Sequence, residues 1–473
     1  MIAVATTALA PLLRARVEEG LARARSRGRA VLVGVTVDVA PHVDPAEVVV
    51  ASRRDGEPWF LLEQPDRDGA ALATLGCVKA IEPEGGPERF REAARAWRKL
   101  AREAVADPIA GPRGSGLVAV GGFSFAETGG ASPPWAGFAP ASLHVPEVAL
   151  ARRGSEVQLT LAALLAPDDD VDAVVARLEQ RAGELRADKA LPLLDPDPAG
   201  TFRVVSTMPP EHYEEAVARA VQHIRSGAFE KIVLAREVEV HAPRHHDAAA
   251  VFGVLREAFP ACNVFVVGRG DAAFIAASPE LLVRRDGQRA ASLALAGSAR
   301  RSADPAVDDH LGEQLMQSSK DRGEHEIVRR RIERTLEPHA VWVTSNDEPT
   351  VVKVLNIQHL ATPIRAQLAK PVPTIELVGH LHPTPAVGGE PLRDAAPMIP
   401  ALEGMDRGWY AGPVGWTDAN EDGEFCVALR SALLRGPVAR CYAGVGVVAD
   451  SDPASELAET EIKLAALLPV LAG

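Results

Sequence analysis

Two pairs of carboxylates stand out in this sequence by type and spacing. Asp321 and Glu324 lie in a charged helical pattern, and Glu456 and Glu459 lie in another that continues to Lys463. Residues three and four apart share a helix face, so each segment presents two acids together. Taken alone, each is a solvated face, the second with an ordinary i,i+4 Glu–Lys pair. Taken together, they are a hard, oxygen-rich ligand set. Mg²⁺ suits it, because that ion takes one or two carboxylates and fills its octahedron with water and substrate oxygens. Zinc would prefer more nitrogen or sulfur.

Candidates for proton transfer lie elsewhere. Lys231 begins the run Lys-Ile-Val-Leu-Ala-Arg-Glu, where a lysine is either a gatekeeper at a strand edge or, if buried, a base. Glu280 follows Ser278-Pro279 after a strand. It is either a turn acid or, in an apolar pocket, a carboxyl whose raised pKa lets it donate a proton near neutrality. The Gly297-Ser298 pair reads as a small turn whose amides can face an anion. His382 precedes a proline, which holds it in a turn. Its choices are a structural hydrogen bond to backbone or a place in a site. Arg430 alternates with apolar Val427 and Leu429 and can clamp a carboxylate with two prongs.

These groups must be carried by strands and helices, and the chain supplies both. Val31–Val37, Val48–Ser52 and Pro58–Glu63 read as strands of an antiparallel sheet, and Pro87–Ala106 and Asp168–Ala187 as helices. Residues 1–200 are thus a variable β-rich half with packed helices and no chemical motif. Leu191–Gly200, with three prolines, reads as a linker. Beyond it, 205–470 holds every candidate: a helix over Glu211–Ser226, paired strands at Asn263–Val267 and Ala273–Ala277, and one long helical pattern from His310 to Leu336. Ala443–Val448 reads as a strand whose Gly444 and Gly446 admit a close approach to backbone. Asp452-Pro453 then caps and opens a helix.

Composition narrows the function. The 473 residues include 51 Lys+Arg against 64 Asp+Glu, a net charge of -13, which argues against nucleic acid or an anionic membrane as partner. Cys77, Cys262, Cys426 and Cys441 form no CxxC pair, so a reducing, cytoplasmic setting is expected. Met1–Leu13 lacks a basic region before its apolar run and reads as a surface helix, and no apolar run is long enough to span a bilayer.

In order along the chain stand Lys-Ile-Val-Leu-Ala-Arg, Ser-Pro-Glu-Leu-Leu, Leu-Ala-Gly-Ser-Ala-Arg-Arg, Lys-Asp-Arg-Gly-Glu-His-Glu and His-Pro-Thr-Pro-Ala. They are followed by Arg-Gly-Trp-Tyr-Ala-Gly, Ala-Leu-Arg-Ser-Ala and Tyr-Ala-Gly-Val-Gly-Val-Val, then Glu-Xaa-Xaa-Glu-Thr. This order resembles the chorismate-utilising enzymes, strongly from Glu211 to Leu468 and only generally before. Within them it is most similar to the isochorismate synthases of menaquinone and siderophore pathways. Ala296 stands where aminodeoxychorismate synthases that use a covalent lysine carry it, and Ser298 stands where salicylate and anthranilate synthases usually have threonine.

The resemblance implies a single α+β domain, with two large antiparallel sheets packed face to face and helices outside; a monomer or weak dimer is expected. It implies Lys231 as the general base activating water for attack at C2 of chorismate, and Glu280 as the acid protonating the departing C4 hydroxyl. Glu324 and Glu459 would hold Mg²⁺, with Asp321 and Glu456 bound directly or through water. Tyr410, Arg430, Lys463 and the amides of Gly444 and Gly446 would hold the substrate carboxylates, with Gly297, Ser298 and His382 lining the site. Salicylate synthase and an anthranilate synthase large subunit remain rivals. Outside catalysis the rival is a metal-dependent binding protein, which would have no need of both Lys231 and Glu280.

Overall fold

The computed structural model describes residues 6–195 and 198–473; residues 1–5 of the expected N-terminal helix and 196–197 of the expected linker lie outside them. Among the described residues, thirteen strands form one sheet and ten form a second. Pairing is antiparallel throughout, except that Val31–Asp38 runs parallel to Val105–Ala106. Period-two alternation sorts each central strand of the larger sheet onto two faces. Phe60, Leu62, Phe265 and Phe274 join Val120, Phe123 and Phe425 of the smaller sheet in one buried core between the sheets. Leu61, Val264, Val266 and Ile275 point the other way, under Thr6–Arg27, Val171–Glu184 and Ala248–Ala258.

Both sheets interleave the two halves of the chain. Trp59–Gln64 pairs with Asn263–Arg269 in the larger sheet, and Val118–Phe123 pairs with Pro413–Asp418 in the smaller. No described helix is long and apolar enough to cross a membrane.

Three local expectations are corrected. Val48–Ser52 is not a strand but belongs to the helix Pro45–Ser52, because Asp44 accepts hydrogen bonds from the amides of Ala46 and Glu47 and Pro45 fits the first turn. The long pattern from His310 is two helices, Pro305–Gln317 and Ser319–Leu336, separated by Ser318. That serine caps the second helix by accepting from the Asp321 amide, which puts Asp321 in its first turn. Gly297-Ser298 is no turn either. It lies within the strand Arg289–Arg300, where the register against Ile357–Leu368 shifts between Ala296 and Ser298. Gly297 has φ +75°, which makes this a glycine bulge that re-aims Ser298.

Candidate active site

The strand Lys231–His241 pairs with Val438–Val447, setting Val233 opposite Gly446 and Ala235 opposite Gly444. The Val233 amide bonds to the Gly388 carbonyl and the Ala235 amide to Glu403, both away from the partner strand. These two are therefore non-hydrogen-bonded pairs, and the amides of Gly444 and Gly446 point to the far edge of their own strand. The next strand, Ser431–Arg435, pairs no further than Tyr442, so that edge is free of a strand partner. It opens into a narrow cavity that Glu280, Ser298, Tyr410, Arg430 and Lys463 also line.

Lys231 is no surface gatekeeper. It is 0% exposed, and its Nζ lies 2.9 Å from Glu324 Oε1, without an aligned hydrogen bond. Gly446 makes this approach possible, since a Cβ there would stand 2.2 Å from Glu324 Oε1 and 2.8 Å from Lys231 Cε. Glu280, 2% exposed, lines the same cavity as Glu324. Burial pushes its pKa up to about 8, against the opposing charges of Lys231 and Arg430 and a hydrogen bond from Thr384. A carboxyl in that state is a proton donor at neutral pH.

Arg430 sits in the left-handed region with φ 49°, strain of the kind that collects at functional sites. Its Nη2 lies 2.5 Å from Nε2 of His359, and its buried Nε has no partner. Nδ1 of His359 is 3.1 Å from the Gly297 carbonyl and 3.0 Å from the Ser298 hydroxyl. The Nδ1–H tautomer satisfies all of these contacts, donating to Gly297 while Nε2 accepts from Arg430. Burial and the Arg430 charge hold the His359 pKa far below its ordinary value, so the ring is neutral. Tyr410 stacks on Tyr442 with centroids 5.1 Å apart. Its hydroxyl lies where a Cβ on Gly444 would be only 2.9 Å away.

On the helix Pro453–Leu464, capped by Asp452, Lys463 reaches Glu459 at 2.8 Å and the Gly444 carbonyl at 2.9 Å. Burial alone would raise the Glu459 pKa, but Lys463 and the Ser298 hydroxyl outweigh it and hold the carboxylate low. Glu456 is 1% exposed and bonds Lys320 at 2.6 Å, while Asp321 accepts from the Ser318 hydroxyl. Burial raises the pKa of both. Among the described residues no three acidic, His or Cys side chains close into a metal cage; each of the four carboxylates meets an ammonium or hydroxyl instead.

His382 does not border this cavity. Its Nε2 lies 2.9 Å from the Phe125 carbonyl, its ring packs on Phe90 and Phe125, and burial drives its pKa to about 3. It holds the turn that delivers Thr384 to Glu280. His359 was passed over within the run Gln358-His-Leu-Ala-Thr-Pro, where nothing local marks it as a partner of Arg430. Lys320 and Thr384 were passed over inside quoted motifs. So was Arg407, which bonds Glu403 and the carbonyls of Val233 and Val387 with all partners buried.

This chain belongs to the chorismate binding enzyme family, whose model matches residues 19–472. Among named relatives, it is 36% identical over 472 residues to the salicylate biosynthesis isochorismate synthase of Pseudomonas aeruginosa, covering 98% of this chain and 96% of that protein. It is 32% identical over 394 residues to the isochorismate synthase MenF of Bacillus subtilis, covering 82% of each. Its fold matches the menaquinone-specific isochorismate synthase MenF of Escherichia coli with a TM-score of 0.77 and 26% identity, over 97% of this chain and 99% of that one.

Proposed function

We propose that this protein is an isochorismate synthase that converts chorismate reversibly to isochorismate. The observation that carries the reading is a fully buried Lys231, 2.9 Å from Glu324, whose charge acts on a Glu280 carboxyl that stays protonated at neutral pH; Glu324 and Glu280 both line the cavity. The amine of Lys231 takes a proton from water as its oxygen bonds to C2, the ring double bonds shift, and the C4–O bond breaks. Glu280 gives its proton to the departing hydroxyl, so one water enters and one leaves. Arg430, Lys463 and the amides of Gly444 and Gly446 would hold the substrate carboxylates, a reading supported by the unpartnered Nε of Arg430.

The donor set fits Mg²⁺, since it is all carboxylate oxygen. Gly446 also leaves the Glu324 carboxylate a cradle that a Cβ would fill. Glu324 and Glu459 would hold the ion, with Asp321 and Glu456 bound directly or through water. When bound, it would supply a Lewis-acid contact to the ring carboxylate. Lys320 and Lys463 neutralise Glu456 and Glu459 at 2.6 and 2.8 Å, and Lys231 lies 2.9 Å from Glu324; the ion would compete with these contacts. We place the enzyme in the cytoplasm, in keeping with four free cysteines.

Incubating chelator-treated protein with chorismate, with and without added Mg²⁺, tests both parts by product chromatography. Isochorismate formed only with Mg²⁺ is expected. Salicylate plus pyruvate, or anthranilate formed on adding ammonia, overturns the assignment; turnover indifferent to chelation overturns the metal.

A further inference from the structure

A run of stacked aromatic rings begins in the first half of the chain and ends in the catalytic cavity. Trp135 stacks on Tyr442 with centroids 5.8 Å and planes 25° apart, and Tyr442 stacks on Tyr410 at 5.1 Å and 19°. Tyr442 is the ring common to both contacts, and all three side chains are buried. Tyr410 and Tyr442 line the cavity, whereas Trp135 stands behind them.

Strand geometry explains what the stack holds in place. Period two puts Tyr442, Gly444 and Gly446 on one face of Val438–Val447. The glycines leave a trough on that face. The Tyr410 hydroxyl occupies the space over Gly444, and Glu324 and Lys231 occupy the space over Gly446. Tyr442 is the wall at the end of the trough. What aims the Tyr410 hydroxyl is the packing of its ring, with Tyr442 against one face and the Arg407 guanidinium 5.7 Å from the centroid.

Trp135 is itself firmly seated. It ends the short turn Pro133–Trp135, in the loop between the strands Val118–Phe123 and Ala141–Val145. Its Nε1 donates to the Asp406 carbonyl at 3.2 Å, and the Asp406 carboxylate accepts from the amides of Gly130, Ser132 and Gly408. Gly408 lies so close to the indole that a Cβ there would overlap it. Phe138 and Phe274 brace the indole in T-shaped contacts. The loop thus grips the segment Asp406–Gly408, which leads directly into Tyr410.

With chorismate as substrate, the reading on which this rests, we infer that Trp135 and Tyr442 are positioning residues for the reaction. Through their stacked rings they hold the Tyr410 hydroxyl over Gly444, where it meets a substrate carboxylate. Aromatic pairs prefer a defined offset and tilt, so loss of one ring lets the next one shift. A substrate contact displaced in this way loses its worth. The first half of the chain thereby takes part in substrate binding through Trp135.

A double-mutant cycle on the KM for chorismate tests this. Trp135→Leu should raise KM roughly fivefold to tenfold, about the worth of one aromatic pair, with little change in kcat. Tyr442→Leu removes both stacks and should raise KM further, while Tyr442→Phe keeps the rings and should leave KM as in the parent. In a Tyr410→Phe background there is no hydroxyl to aim, so adding Trp135→Leu or Tyr442→Leu should change KM by less than about twofold. A purely structural loss would act alike in both backgrounds. Parental KM in Trp135→Leu and Tyr442→Leu, the same rise in the Tyr410→Phe background, or a rise in Tyr442→Phe equal to that in Tyr442→Leu would each overturn the inference while the synthase reading stands. A parent protein that leaves chorismate unconverted would overturn that reading and the inference with it.

Discussion

Replacing Glu280 by glutamine separates the two things its burial does. The native carboxyl holds its proton to about pH 8, whereas an exposed glutamate releases it near 4.5. Between those values the folded chain binds more protons than the unfolded chain, so stability falls as pH rises through the window and levels off above it. The slope for one such group is roughly 1.4 kcal/mol per pH step, which gives a loss of about 2 kcal/mol from pH 6 to pH 8 once the curvature near 8 is allowed for. Glutamine has the same shape and cannot ionise. In Glu280→Gln that loss is absent, and the variant gains on the parent by about 2 kcal/mol over the same interval. Urea unfolding at pH 6, 7, 8 and 9 reads this directly, because other titrating groups cancel in the difference. Turnover should fall roughly a hundredfold to ten-thousandfold, the usual worth of a positioned acid. A stability difference between parent and variant that stays flat from pH 6 to pH 9 would refute a buried, protonated Glu280, whatever the activity showed.

Three further outcomes follow from the same geometry. Lys231→Ala should abolish turnover while substrate affinity, read by calorimetry, stays near that of the parent; full activity would mean that another group is the base. In Gly446→Ala the new methyl would meet Glu324 Oε1 at 2.2 Å. Catalysis should fall by roughly a hundredfold, a 1 Å displacement's worth, with a melting shift smaller than that of a core cavity; parental kinetics would show that the close approach is dispensable. Glu403→Gln leaves the Arg407 guanidinium, 3% exposed, without its counter-charge. Loss of a buried ion-pair partner costs about 3–5 kcal/mol, so denaturant midpoints should drop sharply, and an unchanged midpoint would contradict the pairing.

Much of the site was legible because its chemistry is written in short runs. Asp452-Pro453 capped its helix as expected, and Glu456, Glu459 and Lys463 came to one face, because helix caps and i,i+4 spacing are local. Lys231 and Glu280 were identified with their alternatives still open. His359 was not found, and His382 was expected to line a cavity that it does not border. His359 lies between Gln358 and Leu360, and His382 between Leu381 and Pro383; nothing within a few residues of either tells which one will meet Arg430.

The sequence by itself determined the family, through short motifs in a fixed order, and the paired acids, through helical period. Tertiary structure decided what each charged group is. The close approach at Gly446 lets Lys231 stand against Glu324, burial lets Glu280 keep its proton, and the strand register of the smaller sheet gathered Arg284, Arg289 and Arg365 on one face. Desolvation and the charges of residues far apart in sequence set these states, so no local pattern can carry them.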